Sequence, residues 1–311
     1  MPQPRVVVFG YGELAIAAFD TLEWIGVAPA AVVVPGNRRG ADVELIADRT
    51  RARGLTLLSE PPRASMAPFL DALRSIEPEV LLVWSYSMIL PAEVLALPRL
   101  GAVNVHGGLL PEYRGGHVMN WALINGEHES GVTLHYMDAG IDTGPIIAQK
   151  RFTIDRCDDA ASVREKLKGT GQTLLERWWP SIAEGTAPRI PQDETRARYY
   201  PMRNADDGEV DWTMSSDAIY NLVRALVAPW PGAFTSVDGR RLVLRRVERS
   251  DAVGRPAHAP GTVTSSDAAS ICVATGSGTV ALAAVEIDGR PATAADLVRV
   301  GVTVGKRLGQ P

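Results

Sequence analysis

The feature that most constrains the fold is a regular alternation of short apolar runs with helix-like segments over the first hundred residues. Strands are predicted at 5–9, 30–34, 55–58, 80–84 and 102–105, and helices at 14–25, 42–53, 67–76 and 92–97. The run at 80–84, VLLVW, is continuously apolar, which is typical of a strand covered on both faces. This alternation predicts an α/β fold with a doubly wound parallel sheet.

Polar residues follow the predicted strands at the edge where such sheets bind ligands. The strand predicted at 102–105 brings Asn104 and His106 to its C-terminal end, and because they are two apart their side chains point to the same side. Gly107 and Gly108 then allow a sharp turn. If the chain folds back, the carboxylate of Asp142, which lies in a Gly-flanked turn, can converge with the amide and the imidazole.

These three groups suit a reaction through a charged tetrahedral carbon. A carboxylate near an imidazole favours the charged imidazolium, and an Asn amide with an imidazolium supplies two donors for an oxyanion. The nucleophile motif G-x-S-x-G is absent from the sequence, so direct attack by a substrate amine is expected, with His106 and Asp142 handling protons. The alternative is structural: Asn104 as a turn residue, His106 as a buried histidine and Asp142 as an Asx-turn residue.

A second glycine motif, G-x-G-x-x-A, lies after the first strand at Gly10, Gly12 and Ala15. Dinucleotide binding would need an acidic residue at the end of the next strand. That strand ends in Pro35 and Gly36 instead. A tight strand-to-helix turn is therefore favoured over binding of NAD.

The second half of the chain predicts an additional domain. A helix is expected at 118–124, antiparallel partner strands at 131–137 and 146–152, and a long helix at 160–182. A Pro- and Arg-rich stretch follows, then a helix at 218–226 and several short strands with Asp-Gly turns, which suggest a small β-barrel or sandwich. The predicted organisation is a catalytic domain at 1–190, a linker at 191–205 and a C-terminal domain at 206–311.

The net charge and the number of cysteines indicate which binding partners and which cellular compartment to expect. The net charge of −4 over 311 residues lacks the excess of basic residues expected of a protein that binds a polyanion such as nucleic acid. Cys157 and Cys272 are too few for a disulfide framework or a zinc site, so no metal is expected and a reducing compartment is indicated. Without a signal-peptide layout or a bilayer-length apolar run, a cytoplasmic protein with no membrane partner is expected.

The segments NVHGGLLPEYRGG and MDAGIDTG resemble the folate-dependent formyltransferases, whose signatures are N-x-H-x-S-L-L-P-x-[YFW]-[RK]-G and D-x-G-x-D-[TA]-G. The segment EVDWTMSSDAIYNLVRALVAPWPGAFTSV is similar to the start of the C-terminal domain in formyltransferases of methionyl-tRNA and of amino sugars. The resemblance covers almost the whole chain. It implies a Rossmann-like catalytic domain, an OB-like C-terminal barrel and 10-formyltetrahydrofolate as the formyl donor.

The resemblance also assigns roles to residues. The family's catalytic asparagine, histidine and aspartate fall on Asn104, His106 and Asp142, and Gly108 stands where the family usually has serine. The absent hydroxyl removes no member of the triad. The folate would contact two loops: Ser85, Tyr86, Ser87, Met88, Ile89 and Leu90 in the first, and Asp138, Ala139, Gly140 and Ile141 in the second.

The acceptor is predicted from smaller signals. Formyltransferases that act on tRNA carry a basic Gly/Pro-rich loop after the second strand, whereas this chain has the short segment PGNRRGADVE, and a solvated loop is the favoured interpretation of Arg38 and Arg39. The segments RGGHVMNWALINGEHESGVTLHYMDAGIDTG and APWPGAF are most similar to amino-sugar formyltransferases, one of which acts on a 4-amino-arabinose carried on uridine diphosphate. Arg114 and His117 are candidates for contacting a substrate phosphate, with a structural loop arginine as the alternative for Arg114.

The sequence therefore predicts a 10-formyltetrahydrofolate-dependent N-formyltransferase for a small primary amine, with a nucleotide-linked amino sugar favoured. Methionyl-tRNA, N-hydroxyornithine and, more remotely, water (a formyl-folate hydrolase) remain as alternatives. The oligomeric state stays open, a homodimer included.

Overall fold

A computed structural model describes residues 3–249, 258–266 and 270–309 of the chain. It divides into two compact units. The first contains Met1–Val118, Ser130–Phe152 and Glu165–Tyr200, and the second contains Met119–Glu129, Thr153–Arg164 and Pro201–Pro311. The domain limits predicted at 190 and 206 stay a prediction. Residues 192–200, expected in the linker, belong to the first unit.

Strands and helices alternate through the first two-thirds of the chain, close to the predicted positions. The strands are β1 (Val6–Gly10), β2 (Ala31–Pro35), β3 (Thr56–Glu60), β4 (Val80–Trp84), β5 (Ala102–His106), β6 (Arg114–Gly115), β7 (Glu129–Tyr136), β8 (Ile146–Thr153) and β9 (Tyr199–Tyr200). The helices are α1 (Gly12–Trp24), α2 (Ala41–Ala52), α3 (Met66–Ile76), α4 (Ala92–Leu95), α5 (Val118–Ile124) and α6 (Ala160–Glu184).

The main sheet has seven strands in the order β3-β2-β1-β4-β5-β7-β8. Strands β1 to β5 pair in parallel, which confirms the predicted α/β class. Strand β7 pairs antiparallel with β5, so the complete sheet is mixed. That pairing sets His135 opposite Asn104, a register that the sequence pattern did not reveal.

The core of this unit follows from continuously apolar strands. All five residues of β1 and of β4 are buried, as expected for strands covered on both faces. Gly10 ends β1 where a Cβ atom would lie 2.4 Å from the carbonyl oxygen of Trp84 and 2.7 Å from the Cβ of Ala15. Close packing therefore explains this glycine, which supports a tight strand-to-helix turn.

The second unit carries an antiparallel sheet, as the short strands predicted. Its elements are α7 (Ser216–Ala225), β10 (Ala233–Val237), β11 (Arg240–Arg249), β12 (Val263–Ser266), β13 (Ile271–Ala274), β14 (Thr279–Ile287), β15 (Arg290–Ala292) and α8 (Ala294–Arg299). The sheet order is β10-β11-β14-β13-β12, and β15 pairs with β14. Asp238 and Asp288 take positive φ angles of 46° and 50° before their glycines, as hairpin turns require.

Helix caps mark two boundaries in this unit. The Ser215 side chain accepts a hydrogen bond from the Ala218 N–H at the start of α7. Thr293 and Asp296 form a capping box at the start of α8, a helix that the sequence analysis missed. Within the described ranges, no helix has both the length and the apolar character that crossing a membrane requires.

Candidate active site

The candidate site lies where β4 and β5 end side by side. Val83 of β4 pairs with Asn104 of β5, and the chain leaves β4 directly into the loop at 85–90. His106 is the last residue of β5 and is 6% exposed, while Asn104 is half-buried. Both side chains therefore lie next to the edge at which the sequence analysis predicted ligand binding.

Asp142 meets both residues through the fold of its own loop. Its Oδ1 lies 3.5 Å from His106 Nδ1 and 3.5 Å from Asn104 Nδ2. Its Oδ2 accepts a hydrogen bond of 2.9 Å from the backbone N–H of Gly115. Asp142 has a φ of +54°, an uncommon conformation for a residue other than glycine. The structure thus brings together the three groups predicted to form the catalytic triad.

The glycines of this loop are required by space. A Cβ atom on Gly144 would lie 1.9 Å from the carbonyl oxygen of Tyr136, and one on Gly140 would lie 2.1 Å from Thr143 Oγ1. Asp138, in contrast with Asp142, uses its carboxylate within the turn, accepting from the Gly140 N–H at 3.0 Å and from Thr143 Oγ1 at 2.5 Å. The motif therefore specifies a tight turn. The Asp138 side chain stabilises this turn by hydrogen bonds, and the Asp142 side chain points away from it towards His106 and Asn104.

The pKa of His106 is shifted in the direction opposite to that expected from the neighbouring Asp142. Its Nε2 lies 2.6 Å from the carbonyl oxygen of Tyr113, and because a carbonyl only accepts, this nitrogen carries the proton. Burial lowers the pKa of His106 below its ordinary value, and this effect exceeds the opposing influence of Asp142. This direction of the pKa shift opposes the expectation that Asp142 keeps the imidazole charged.

Asp142 stays ionised. Burial by itself raises the pKa of its carboxyl, but the neighbouring His106 and His135 side chains and the hydrogen bond from the Gly115 N–H together outweigh that effect. The net pKa lies well below the ordinary value for aspartate. The resting site therefore holds a carboxylate that can accept a hydrogen bond or a proton.

His135 is a member of this cluster that the sequence analysis missed. It is 1% exposed; its Nδ1 lies 2.8 Å from its neighbour's carbonyl oxygen, that of Tyr136, and therefore carries a proton. Its Nε2 lies 3.1 Å from Asn104 Nδ2 and 3.6 Å from Asp142 Oδ1. The ring thus fixes the orientation of the Asn104 amide. The available signal was a histidine within a predicted strand, but only the register of β7 on β5 gives it meaning.

The first predicted folate loop, at 85–90, is held in place by contacts of Tyr86 and Ser87. The Tyr86 hydroxyl donates to Glu60 Oε2 at 2.5 Å, and its ring packs edge-on against Phe9 at 5.4 Å. Burial raises the pKa of Glu60, partly offset by the Tyr86 hydrogen bond. Ser87 Oγ donates to Asn37 Oδ1 at 2.9 Å. These contacts hold the loop against the main sheet.

Both predicted folate loops expose apolar side chains. Ile89 is 61% exposed and Ile141 is 49% exposed, while Leu90 next to Ile89 is buried. Exposed branched aliphatic side chains beside a polar cluster suit contact with a flat heteroaromatic ring. The contacts of these loops with folate stay predictions.

Arg114 is placed differently from a phosphate-binding residue. It is fully buried, and its guanidinium donates to Glu194 at 2.7 and 2.9 Å, to Gln192 Oε1 at 2.7 and 3.1 Å and to the Tyr199 hydroxyl at 2.8 Å. This network supports the structural alternative left open for Arg114. His117, the other candidate for a phosphate contact, is half-buried and has a φ of +52°.

Comparisons with known proteins agree with this geometry. A family model described as formyl transferase matches residues 6–178, and a second, described as formyl transferase, C-terminal domain, matches residues 203–300. The methionyl-tRNA formyltransferase of Myxococcus xanthus is 34% identical over 294 residues, covering 93% of this chain and 92% of that protein. That of Geobacter metallireducens is 34% identical over 291 residues, covering 87% and 92%.

Solved structures share the fold at lower sequence identity. The sugar 3N-formyl transferase WlaRD, determined with dTDP and 5-N-formyl-THF, has a TM-score of 0.67 and 18% identity over 91% of this chain and 98% of that chain. The N-formyltransferase of Helicobacter canadensis, in complex with folinic acid and dTDP-3-aminofucose, has a TM-score of 0.66 and 19% identity over 90% and 99%.

Two family models together span most of the chain, and relatives above 30% identity cover more than two-thirds of it. The protein therefore belongs to the formyltransferase family, enzymes that take their formyl group from 10-formyltetrahydrofolate.

Proposed function

We propose that this protein transfers the formyl group of 10-formyltetrahydrofolate to the primary amine of a small molecule, with a nucleotide-linked amino sugar as the acceptor. The observation that carries the chemistry is the convergence of Asn104 and His106 on Asp142, whose Oδ1 lies 3.5 Å from a side-chain nitrogen of each. An amide donor, an imidazole and a carboxylate around one point suit attack on a formyl carbon.

In the proposed reaction the unprotonated amine forms a bond to the formyl carbon, and the bond from that carbon to N10 of the folate then breaks. The Asn104 amide donates to the oxygen that becomes negative; its contact with Asp142 is long at 3.5 Å, so this hydrogen is available to a ligand. The proton that the amine loses passes to the pair formed by Asp142 and the unprotonated Nδ1 of His106, which lie 3.5 Å apart. From this pair the proton passes to N10 of the folate as the bond from the formyl carbon to N10 breaks.

The small acceptor is supported by the short connection between β2 and α2. Only residues 36–40 lie there, and one of the two arginines is engaged: Arg38 donates to Asp42 at 2.7 Å and stacks over the Tyr11 ring at 4.3 Å. Affinity for tRNA depends on several cations that are free to contact phosphates. Arg38, already paired with Asp42, adds little to such a surface, which leaves Arg39 as the remaining cation of this connection.

Methionyl-tRNA is the second candidate acceptor, and a specific observation favours it. The relatives named above, at 34% identity over nearly the full length, carry the name methionyl-tRNA formyltransferase. For this acceptor, binding should weaken steeply as salt increases, since phosphate contacts release counterions.

The deciding experiment follows tetrahydrofolate release by absorbance with acceptors added one at a time. The acceptors are nucleotide-linked amino sugars, N-hydroxyornithine and initiator methionyl-tRNA. Turnover with a nucleotide sugar supports the proposal, and turnover restricted to the charged tRNA contradicts the acceptor assignment while keeping the chemistry. Formate release without any amine would make the protein a hydrolase.

A further inference from the structure

Residues 192–200, which we call the strap, lie on the segment that carries Arg114. The Arg114 N–H donates to the Arg198 carbonyl at 3.0 Å, and the Gly116 N–H donates to the Tyr200 carbonyl at 2.9 Å, so that β6 and β9 form a short parallel ladder. A Cβ atom on Gly115 would lie 2.2 Å from the Tyr200 carbonyl oxygen. The strap is therefore packed directly against the backbone that holds Asp142.

Gln192 links this strap to the loop of Asp142. Its Nε2 donates to the carbonyl oxygens of Asp142 at 2.8 Å and Gly144 at 2.7 Å. Its Oε1 accepts from Arg114 Nε at 3.1 Å and from the neighbouring guanidinium nitrogen at 2.7 Å. One side chain thus makes four hydrogen bonds, two on each side.

The arginine determines which way the amide faces. A guanidinium only donates, so the amide oxygen must face Arg114 and the amide nitrogen must face the two carbonyls. The same guanidinium also donates hydrogen bonds to Glu194 and to the Tyr199 hydroxyl. The orientation of Gln192 therefore follows from a buried cation that is itself held in place.

Asp142 is held from two directions by this arrangement. Gly115, next to Arg114 in the chain, donates to the Asp142 carboxylate, and Gln192 donates to the Asp142 carbonyl. Its left-handed φ of +54° persists only if the surroundings fix it. We propose that Gln192, oriented by Arg114, is a positioning residue that keeps the Asp142 carboxylate at reacting distance, an inference that rests on the proposed formyl transfer.

The first test is a double-mutant cycle between Gln192 and Asp142. Gln192→Leu keeps the approximate volume and removes all four hydrogen bonds, and we expect kcat to fall about 10- to 100-fold with the KM for the folate donor unchanged. In the Asp142→Asn background the same change should alter kcat by less than about threefold, because the group it positions is gone. An equal loss in both backgrounds would overturn the inference.

Arg196→Ala is the matched control. It removes an ion pair between the strap and Glu112 without contacting the Asp142 loop. Near-normal kcat in this variant supports a specific role of Gln192. A loss as large as that of Gln192→Leu means that any loosening of the strap has the same effect, and overturns the assignment. Gln192→Glu, which keeps the acceptor for Arg114 and removes both donors, replaces Gln192→Leu if the latter does not fold.

Amide hydrogen exchange supplies a readout that needs no substrate. The amides at 140–144 should exchange at least about tenfold faster in Gln192→Leu than in the wild type or in Arg196→Ala. Unchanged exchange would overturn the inference. An inactive wild type would overturn only the proposed function, and the exchange result would still decide the role of Gln192.

Discussion

Two loops of the first unit face the predicted ligand site, and they are held in opposite ways. The loop at 138–144 is fixed by hydrogen bonds from Gln192 to its backbone and by glycine packing, and it carries the carboxylate of Asp142. The loop at 85–90 is held largely through side chains, since Tyr86 hydrogen-bonds to the buried Glu60 and Ser87 to Asn37. From this comparison we expect the first loop to hold the Asp142 carboxylate in a fixed position and the second to provide a surface for the predicted contact with folate.

The sharpest way to test this comparison is Asp142→Asn. The amide keeps the size of the side chain and removes the base, so we expect kcat to fall about 10³-fold with little change in the KM for the folate donor. The measurement is steady-state kinetics with circular dichroism as the control for folding. A rate within tenfold of the wild type would remove Asp142 from the mechanism.

A smaller effect is expected from Gly108→Ser, which introduces the residue usual in the family. Its Cβ would lie 2.9 Å from the Cβ of Tyr113 and 3.1 Å from the Tyr113 carbonyl oxygen, the acceptor for His106. Displacing that carbonyl should lower kcat about tenfold. Kinetics alongside Gly169→Ser, a position with open space around its Cβ, provide the comparison. Unchanged activity in Gly108→Ser would mean that Tyr113 moves without affecting His106.

A change in the loop at 85–90 should affect the binding of the folate donor more than the rate of the reaction. Tyr86→Phe removes a hydrogen bond to a buried carboxylate and should lower the free energy of unfolding by about 1–3 kcal/mol. We expect the KM for the folate donor to rise about three- to tenfold while kcat stays close to normal. Chemical denaturation and initial rates measure the two effects. If kcat falls and KM does not, the proposed division of labour between the loops is wrong.

The smallest effect concerns pH. Because burial lowers the pKa of His106 in the folded protein, the unfolded chain binds its proton first as the pH falls, and stability decreases from about pH 6.5 downward. Asp142, with a depressed pKa, contributes its own loss only below about pH 4. The free energy of unfolding between pH 7 and pH 5 should therefore fall less in His106→Gln than in the wild type. Parallel curves would contradict a neutral, buried His106.

The sequence predicted the elements that depend on local pattern and missed those that depend on distant partners. The strand at 80–84 and the helix at 118–124 lie at the predicted residues, because periodicity and composition decide them. The β6–β9 ladder has two residues on each strand and no periodicity, so only the fold brings its partners together.

The residues of the candidate site also fall into two groups: those predicted from motifs and those that only the fold brings to the site. Asn104, His106 and Asp142 were predicted from their motifs, and the structure brings them together. His135 joins them only through an antiparallel register. The setting of Arg114 is decided by Gln192 and Glu194, far along the chain. The charge of His106 required knowledge of its burial, because the neighbouring carboxylate alone suggests the opposite direction.

The protonation of the cluster has a consequence for inhibitors. Asp142, whose pKa is lowered, places a carboxylate at the reacting point beside His106, whose pKa is lowered by burial. Such a point attracts an acceptor as its ammonium ion, and removing that proton is part of the catalytic work. An acceptor analogue with a trimethylammonium group in place of the amine would keep the attraction and lack both the proton and the lone pair. Compounds of this kind should occupy the acceptor position without being consumed.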